Sequence, residues 1–159
     1  MEPPDDLAFL RLAIEASKAS LDDDVGGPFG ALLVRDGEIL AHGRNRVLGD
    51  HDPTAHAEVV AIRRAAAKLG THNLEGCTIY SSCEPCPMCL AAIHWAGIER
   101  IVFAAGREDA AGIGFADAAL YEELGRSLEA RSTPTEQSLR EEGRAVMEAW
   151  GRRPGRTLY

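Results

Sequence analysis

The sequence predicts an α/β layered domain in which helices cover a mixed sheet. Two strand-like runs, Phe29 to Val34 and Glu38 to Asn45, flank Asp36-Gly37, which is typical of a hairpin turn and predicts an antiparallel pair. Two later runs, Cys77 to Ser81 and Arg100 to Ala104, are separated by a short helical stretch. Strand, short helix and strand in this order predict a parallel crossover, so one sheet contains both kinds of pairing.

Two helices are expected in the N-terminal half of the chain. The first follows Pro3-Pro4-Asp5-Asp6, has apolar residues at helical spacing and ends at Asp22-Asp23-Asp24. The second begins after Thr54, a favourable N-cap residue, and ends at Gly70, because glycine commonly terminates a helix. These two helices supply amphipathic elements that can cover the sheet.

The C-terminal half is expected to add three more helices. A short helix from Cys86 or Pro87 to Ala96 connects the two parallel strands and is ended by Gly97. Another helix is predicted from Ala110 to Leu124. The last is predicted from about Thr135 to Trp150, with apolar residues on one side and charged residues on the other, as in an ordinary surface helix.

Length and charge restrict the possible functions. The 159 residues amount to about one domain at roughly 150 residues per domain, so we expect a single domain spanning residues 1–159. The net charge of −8 and the lack of a basic stripe argue against binding of a long nucleic acid and favour a small neutral substrate. The acidic N-terminus has no apolar run, and no stretch approaches the ~20 apolar residues of a membrane span, which predicts a cytoplasmic protein without membrane contact.

The chemistry is expected to reside in His56, Glu58, Cys86 and Cys89. One imidazole and two thiolates are typical zinc ligands, and three protein ligands leave one zinc position open for water, as in catalytic sites. Cys86 and Cys89, three positions apart in a first helical turn, share one face near the helix N-terminus, which stabilises thiolates. Glu58, two positions after His56, is expected to move protons at the zinc rather than bind it.

Two other metal sites could use the same cysteines. Cys83, Cys86 and Cys89 are spaced like part of an iron–sulfur binding run, but the remaining cysteine, Cys77, precedes that run instead of completing it. A structural zinc closed by these three cysteines and the histidine would leave Glu58 without a role. We therefore favour the catalytic zinc and interpret Cys83 as a buried or loop thiol, because H-x-E followed by P-C-x-x-C is the signature of zinc deaminases.

Three segments carry a family resemblance, and they are Gly27-Pro28-Phe29-Gly30-Ala31, Asp52-Pro53-Thr54-Ala55-His56-Ala57-Glu58 and Ser82-Cys83-Glu84-Pro85-Cys86-Pro87-Met88-Cys89. They resemble the cytidine deaminase-like zinc hydrolases and, within that group, the guanine deaminases. The similarity is specific from Gly26 to Trp95. It continues more weakly through Asp109-Ala110-Ala111, Gly114-Phe115-Ala116-Asp117 and Leu158-Tyr159, and so covers most of the chain.

The resemblance implies a three-layer α/β/α fold with a mixed central sheet. It also implies a homodimer in which the C-terminal segments, about residues 110–159, are exchanged between the subunits. Asn45 and the ring of Phe29 are expected to line a pocket for a base, with Trp95 at the mouth of the pocket. The other subunit is expected to contribute Phe115, Asp117 and Tyr159.

The reaction implied by the resemblance is zinc-dependent hydrolytic deamination of a free nucleobase, guanine to xanthine and ammonia. Glu58 is expected to carry protons between water, the base and the departing amine, with Asp117 as a second carboxyl group near that amine. Guanine deaminases usually have an acid at the position of Ala116, and Ala118 and His94 are further departures. Deamination of cytosine, of another amino-heterocycle or of a nucleoside is therefore the alternative.

Two further functions use related chemistry or the same fold. Editing of adenosine in transfer RNA occurs on this fold, but a chain with a net charge of −8 has few basic contacts to offer an RNA. A non-catalytic binding module stabilised by zinc would not need an intact glutamate beside its ligands. We therefore expect a small-molecule substrate and zinc as the cofactor.

Overall fold

The computed structural model describes residues 5–158, which form two compact units, one ending at Asp117 and the other beginning at Ala118. The elements of the first unit are α1 (Asp6–Lys18), a 3₁₀ turn (Ala19–Leu21), β1 (Gly30–Arg35), β2 (Glu38–Arg44), α2 (Ala57–Leu69), β3 (Cys77–Cys83), α3 (Pro87–Trp95), β4 (Arg100–Ala105) and α4 (Arg107–Gly112). Those of the second unit are α5 (Ala118–Leu124), a 3₁₀ turn (Leu128–Ala130) and α6 (Arg140–Gly151). Within the described residues, no helix combines the length and apolarity needed to cross a membrane.

The strands of the described chain form one sheet in the order β2-β1-β3-β4. β1 runs antiparallel to β2 and to β3, whereas β3 and β4 run parallel. In this register Ala31 of β1 lies opposite Gly43 of β2 on one side and Ser81 of β3 on the other. The mixed sheet predicted from the hairpin and the crossover is therefore confirmed.

Helices cover both faces of the sheet. On one face, Ala13 of α1 packs with Leu32 and Tyr80. On the other face, Leu33 joins a larger cluster that includes Ile93 of α3. Successive residues of a strand point to opposite faces, so Leu32 and Leu33 reach the two helical layers from one strand. The first unit thus has the three-layer α/β/α arrangement that the family resemblance implied.

The C-terminal helices differ from the prediction. The stretch from Ala110 to Leu124 is not one helix, because α4 and α5 are separated by a segment in which Gly114 has a φ of 100°. This conformation suits glycine and is incompatible with a right-handed helix. The last helix begins at Arg140 instead of about Thr135, directly after Leu139, which has a left-handed φ of 54°.

Candidate active site and metal centre

Two helix N-termini bring the candidate metal ligands together. His56 is the N-cap residue of α2 and Cys86 is the N-cap residue of α3, and both have extended backbone conformations. Cys89 follows in the first turn of α3. The Nδ1 atom of His56 lies 3.5 Å from the Sγ atom of Cys86 and 3.5 Å from that of Cys89. The ligand atoms of all three residues lie within 4.8 Å of one another, a separation that one metal ion can bridge.

Close packing of α2 on the sheet fixes the position of His56. A Cβ atom on Gly43 of β2 would lie 2.0 Å from the carbonyl oxygen of Ala57, so the approach of α2 to β2 requires a glycine there. The N–H of Arg46 also donates to the carbonyl oxygen of Ala55 at 2.9 Å. These contacts hold the residues on either side of His56. They therefore fix the backbone from which the imidazole extends toward the two cysteines.

The carboxylate of Glu58 is buried beside the candidate ligands, with 6% of the residue exposed. The hydroxyl of Ser81 donates to Oε1 at 2.9 Å, and the thiol of Cys89 donates to Oε2 at 3.4 Å. Burial raises the pKa of Glu58, because the loss of hydration penalises the charged carboxylate. A carboxyl group with this placement can hold or release a proton next to the metal position.

Ser81 is a site residue that the sequence analysis did not single out. It is completely buried in β3 and falls on the same side of that strand as Ile79, which faces α2 and α3. A buried hydroxyl on an apolar face needs a polar partner, and here the partner is the catalytic candidate Glu58. Strand alternation was therefore the signal that could have identified Ser81.

The two thiols and the imidazole have the chemistry that zinc requires. Hydrogen bonding with Cys89 and with His56 lowers the pKa of Cys86 to about 4. The hydrogen bond with Cys86 in turn raises the pKa of Cys89 and that of His56. Two sulfur ligands and one nitrogen ligand suit a tetrahedral zinc with its fourth position open, and metal binding displaces the remaining thiol proton. The residues present therefore fit a zinc ion.

Cys83 lies outside this ligand group. Its buried thiol donates to the carbonyl oxygen of Gly106 at 3.6 Å. Within residues 5–158, the group that could hold a metal consists of His56, Cys86 and Cys89 alone. This placement fits a buried thiol and favours neither the iron–sulfur run nor the closed zinc site held by four residues.

Phe29 and Phe115 form an aromatic pair next to the start of α2. Phe29 packs against the cluster formed by Ala31, Ala57 and Ala61, and the two rings meet edge to face with centroids 5.0 Å apart and planes at 90°. The turn after α4 directs Phe115 to this position, since its N–H donates to the carbonyl oxygen of Ala110 at 3.0 Å. The contact lies within one chain, and the expectation that Phe115 serves the partner's site stays a prediction.

Asn45 follows β2 and is held from three sides. It is 6% exposed, and its side-chain oxygen accepts the N–H of Val47 at 3.1 Å. Its own backbone N–H donates to the carbonyl oxygen of Phe29 at 3.0 Å. Gly26 approaches so closely that a Cβ atom there would lie 2.3 Å from the side-chain oxygen of Asn45. With that oxygen engaged, the NH₂ group is the part of the side chain suited to contact a ligand.

Three further residues were expected at the site, namely Trp95, Asp117 and Tyr159. Trp95 is 69% exposed at the end of α3. At 1.5 Å per residue its backbone lies about 13 Å along the helix axis from Cys86, and its place at the pocket mouth stays a prediction. Asp117 is half-buried and follows Phe115 in the first unit. Tyr159 lies outside the described residues.

A family model decides the classification of this chain. The model of the cytidine and deoxycytidylate deaminase zinc-binding region matches residues 3–105, which include His56, Glu58, Cys86 and Cys89. The chain belongs to this deaminase family. The match extends from the region of α1 through β4 and therefore contains both helix N-termini that form the candidate metal centre.

Individual members of the deaminase family show how far the similarity extends. Guanine deaminase from Bacillus subtilis is 45% identical over 142 residues, which are 89% of this chain and 91% of that protein. A tRNA-specific adenosine deaminase from Aquifex aeolicus is 44% identical over 98 residues, which are 61% of this chain and 64% of that protein. The similarity to the guanine deaminase thus extends into the C-terminal region of this chain. The similarity to the tRNA-specific adenosine deaminase covers a smaller share of the chain.

Solved structures of the deaminase family give the same pattern. The crystal structure of guanine deaminase from Bacillus subtilis superposes with a TM-score of 0.92 at 42% identity, covering 96% of this chain and 98% of that chain. Another structure, determined in complex with 2,6-diaminopurine, superposes with a TM-score of 0.67 at 35% identity, covering 72% of this chain and 64% of that chain. The fold is therefore that of the cytidine deaminase-like deaminases.

Proposed function

We propose that this chain catalyses the zinc-dependent hydrolytic deamination of a free nucleobase, guanine to xanthine and ammonia. The observation that carries the proposal is the buried Glu58 carboxylate beside His56, Cys86 and Cys89. Similarity to a guanine deaminase over 89% of the chain supports guanine as the base. His56, Cys86 and Cys89 would hold the zinc, which when bound supplies a Lewis acid that lowers the pKa of water.

Glu58 would perform the proton transfers of the reaction. Its carboxylate takes a proton from the attacking water, whose oxygen forms a bond to C2 of guanine. Glu58 then passes this proton to the ring nitrogen beside C2, takes the second proton from the hydroxyl now bonded to C2 and gives it to the amine, so that the bond from C2 to the amine breaks and ammonia leaves. Ser81 orients this carboxylate through its hydrogen bond to Oε1. The burial of Glu58 keeps the transfers away from bulk solvent.

Asn45, Phe29 and Phe115 would hold the base. The NH₂ group of Asn45 is suited to donate to O6 of guanine, because the side-chain oxygen already accepts the N–H of Val47. The rings of Phe29 and Phe115 offer apolar surface against which a flat purine can pack. Trp95 and Tyr159 stay predictions as pocket residues.

The first prediction concerns the substrate. We expect ammonia release from guanine to exceed release from cytosine, cytidine, adenine, guanosine and a transfer RNA, because the NH₂ group of Asn45 would donate to O6 of guanine and the proposed pocket holds a free base. Ammonia is measured for each compound at equal concentration with the zinc-loaded protein. Faster release from cytosine would contradict guanine as the substrate and support the alternative, deamination of cytosine. Rapid release from guanosine would show that the pocket accepts a base with its sugar. A matched Glu58→Gln protein serves as the blank for non-enzymatic release.

The second unit gives a reason to expect a second copy of the chain. Among its described elements, α5 and α6 bury none of their residues, and Val146 and Met147 of α6 are exposed. A unit of about 40 residues without an apolar core is too small to be stable alone. We propose a homodimer in which the C-terminal segments are exchanged between the chains, and the second unit, which begins at Ala118, belongs to the exchanged part.

The second prediction concerns the chain to which Asp117 belongs in the active site. We expect Asp117 to act in its own chain, because Phe115, two residues earlier, contacts Phe29 of the same chain. Glu58→Ala and Asp117→Ala proteins are unfolded together and refolded as a mixture. If Asp117 acts in its own chain, every site lacks one carboxylate, and the mixture stays as inactive as the separate variants.

The opposite result has an equally clear signature. If Asp117 serves the partner's site, each mixed dimer contains one site with both carboxylates, and random pairing restores roughly a quarter of all sites in a symmetric dimer. Mass-tagged chains verify that mixed dimers have formed. Recovery of activity in that mixture would place Asp117 in the partner's site, as the family resemblance implied.

The free thiols bear on where the reaction takes place. All four cysteines are free, and two of them are candidate zinc ligands that must remain unoxidised. Thiols persist in the reducing cytosol, whereas oxidising compartments favour disulfides. We therefore propose the cytoplasm as the site of action.

A further inference from the structure

Glu84 connects the metal-ligand loop to α4. It lies two residues before Cys86, and its N–H donates to the carbonyl oxygen of Ala105 at 2.8 Å. Its carboxylate receives two hydrogen bonds from Arg107, the first residue of α4. The guanidinium donates to Oε1 at 2.9 Å, and the backbone N–H donates to Oε2 at 3.2 Å. One carboxylate therefore binds both the side chain and the backbone of the residue that begins α4.

The same helix carries Phe115 to the aromatic pair. At its start, the carboxylate of Asp109 accepts the N–H of Gly106 at 2.8 Å, which closes the first turn. At its end, Gly114 turns the chain with a φ of 100°, and the N–H of Phe115 bonds back to Ala110. α4 is six residues long, so less than two helical turns and the short bend at Gly114 separate Arg107 from Phe115.

We propose that Glu84 is a positioning residue that acts through Arg107 and α4 to hold Phe115 against Phe29. This inference rests on the proposed function only insofar as the aromatic pair binds the base. Glu84 does not belong to the group of candidate metal ligands in the described chain, so its effect is on the pocket wall and not on the metal. We call the paired residues Glu84 and Arg107 the α4 clasp.

The clasp differs from a single exposed ion pair in two respects. The Glu84 side chain is 24% exposed, so water and salt screen its charge less than that of a fully exposed carboxylate. Its two oxygens bind two different donors, and one of these donors is a backbone N–H in the first turn of a helix. Replacing the carboxylate by an amide removes the charge from both contacts while keeping the size of the side chain.

The test uses Glu84→Gln in the full zinc-loaded chain, with Glu108→Gln as the matched control. Glu108 is an exposed glutamate next to Arg107 on the same helical turn. Hydrogen–deuterium exchange is measured for residues 106–117, together with zinc content and with kcat and KM for guanine. We expect faster exchange, unchanged zinc and a rise in KM of about fivefold, with kcat changed by less than about twofold. Glu108→Gln should match the parent protein in each measurement.

The same substitution in a Phe115→Ala protein separates an effect on the position of Phe115 from general destabilisation of the fold. In the presence of Phe115→Ala, Glu84→Gln should raise KM no further, because the ring that it positions is absent. An equal rise in KM in both backgrounds, unchanged exchange at residues 106–117, or a loss of zinc in Glu84→Gln would each overturn the proposal. Arg107→Ala should reproduce the faster exchange and is used if Glu84→Gln fails to fold. If the parent protein does not deaminate guanine, the proposed function fails, and exchange alone then decides whether the clasp exists.

Discussion

Glu58→Gln is expected to lower kcat for guanine by at least about a thousandfold while the protein still binds one zinc per chain. Glutamine has nearly the size of glutamate and can keep the hydrogen bond from the Ser81 hydroxyl to its side-chain oxygen. It cannot accept a proton from water or return one to the departing amine. The loss therefore reports on proton transfer, since the metal ligands remain in place.

The measurement combines zinc content by elemental analysis with steady-state kinetics on guanine. Glu38→Gln, which changes an exposed glutamate at the start of β2, is the matched control and should retain the parent activity. Ser81→Ala should give an intermediate loss, because it leaves the Glu58 carboxylate in place without its hydrogen-bond donor. If Glu58→Gln loses zinc, the glutamate is a ligand. If Glu58→Gln retains full turnover, another group carries the protons.

The fold could be predicted to a large extent because its signals are local. The Asp36-Gly37 turn has positive φ at both residues, 52° and 80°, as a two-residue hairpin turn requires. The parallel crossover followed from the short distance in sequence between β3 and β4, with one helix between them. The antiparallel pairing of β1 with β3 joins residues far apart in sequence, so no local pattern could indicate it.

The candidate metal centre could also be predicted from the sequence, because ligand types and spacing define it. The residues around it were harder to predict. The contact of Ser81 with Glu58 depends on strand register, and that of Phe115 with Phe29 depends on the break after α4. The family resemblance implies that Phe115 serves the partner's site, and a sequence alone does not indicate which copy of a chain supplies a residue. Only the three-dimensional structure shows the contact within one chain.

Cys86→Ser and Cys89→Ser are expected to bind zinc much more weakly than the parent protein, whereas Cys83→Ser should retain it. Serine keeps the size of the side chain but replaces a thiolate, a strong zinc ligand, by a hydroxyl that remains protonated. Cys86 and Cys89 approach the His56 ring at 3.5 Å each, while the Cys83 thiol is directed to the carbonyl oxygen of Gly106. The three cysteines lie within one short segment, so Cys83→Ser is a matched control for the general effect of removing a sulfur.

Loss of zinc should also lower stability, because an ion that binds only the folded state favours that state. At a free zinc concentration about a thousandfold above its dissociation constant, the contribution is about 4 kcal/mol, which corresponds to roughly 10 °C in the midpoint of thermal unfolding. Unfolding is therefore measured with and without a chelator. We expect the chelator to lower the midpoint of thermal unfolding of the parent and of Cys83→Ser. In Cys86→Ser and Cys89→Ser the midpoint should change little on adding the chelator, because it is already low without bound zinc. A chelator effect that disappears only in Cys83→Ser would make Cys83 a ligand and would require a different metal centre from the one built on His56, Cys86 and Cys89.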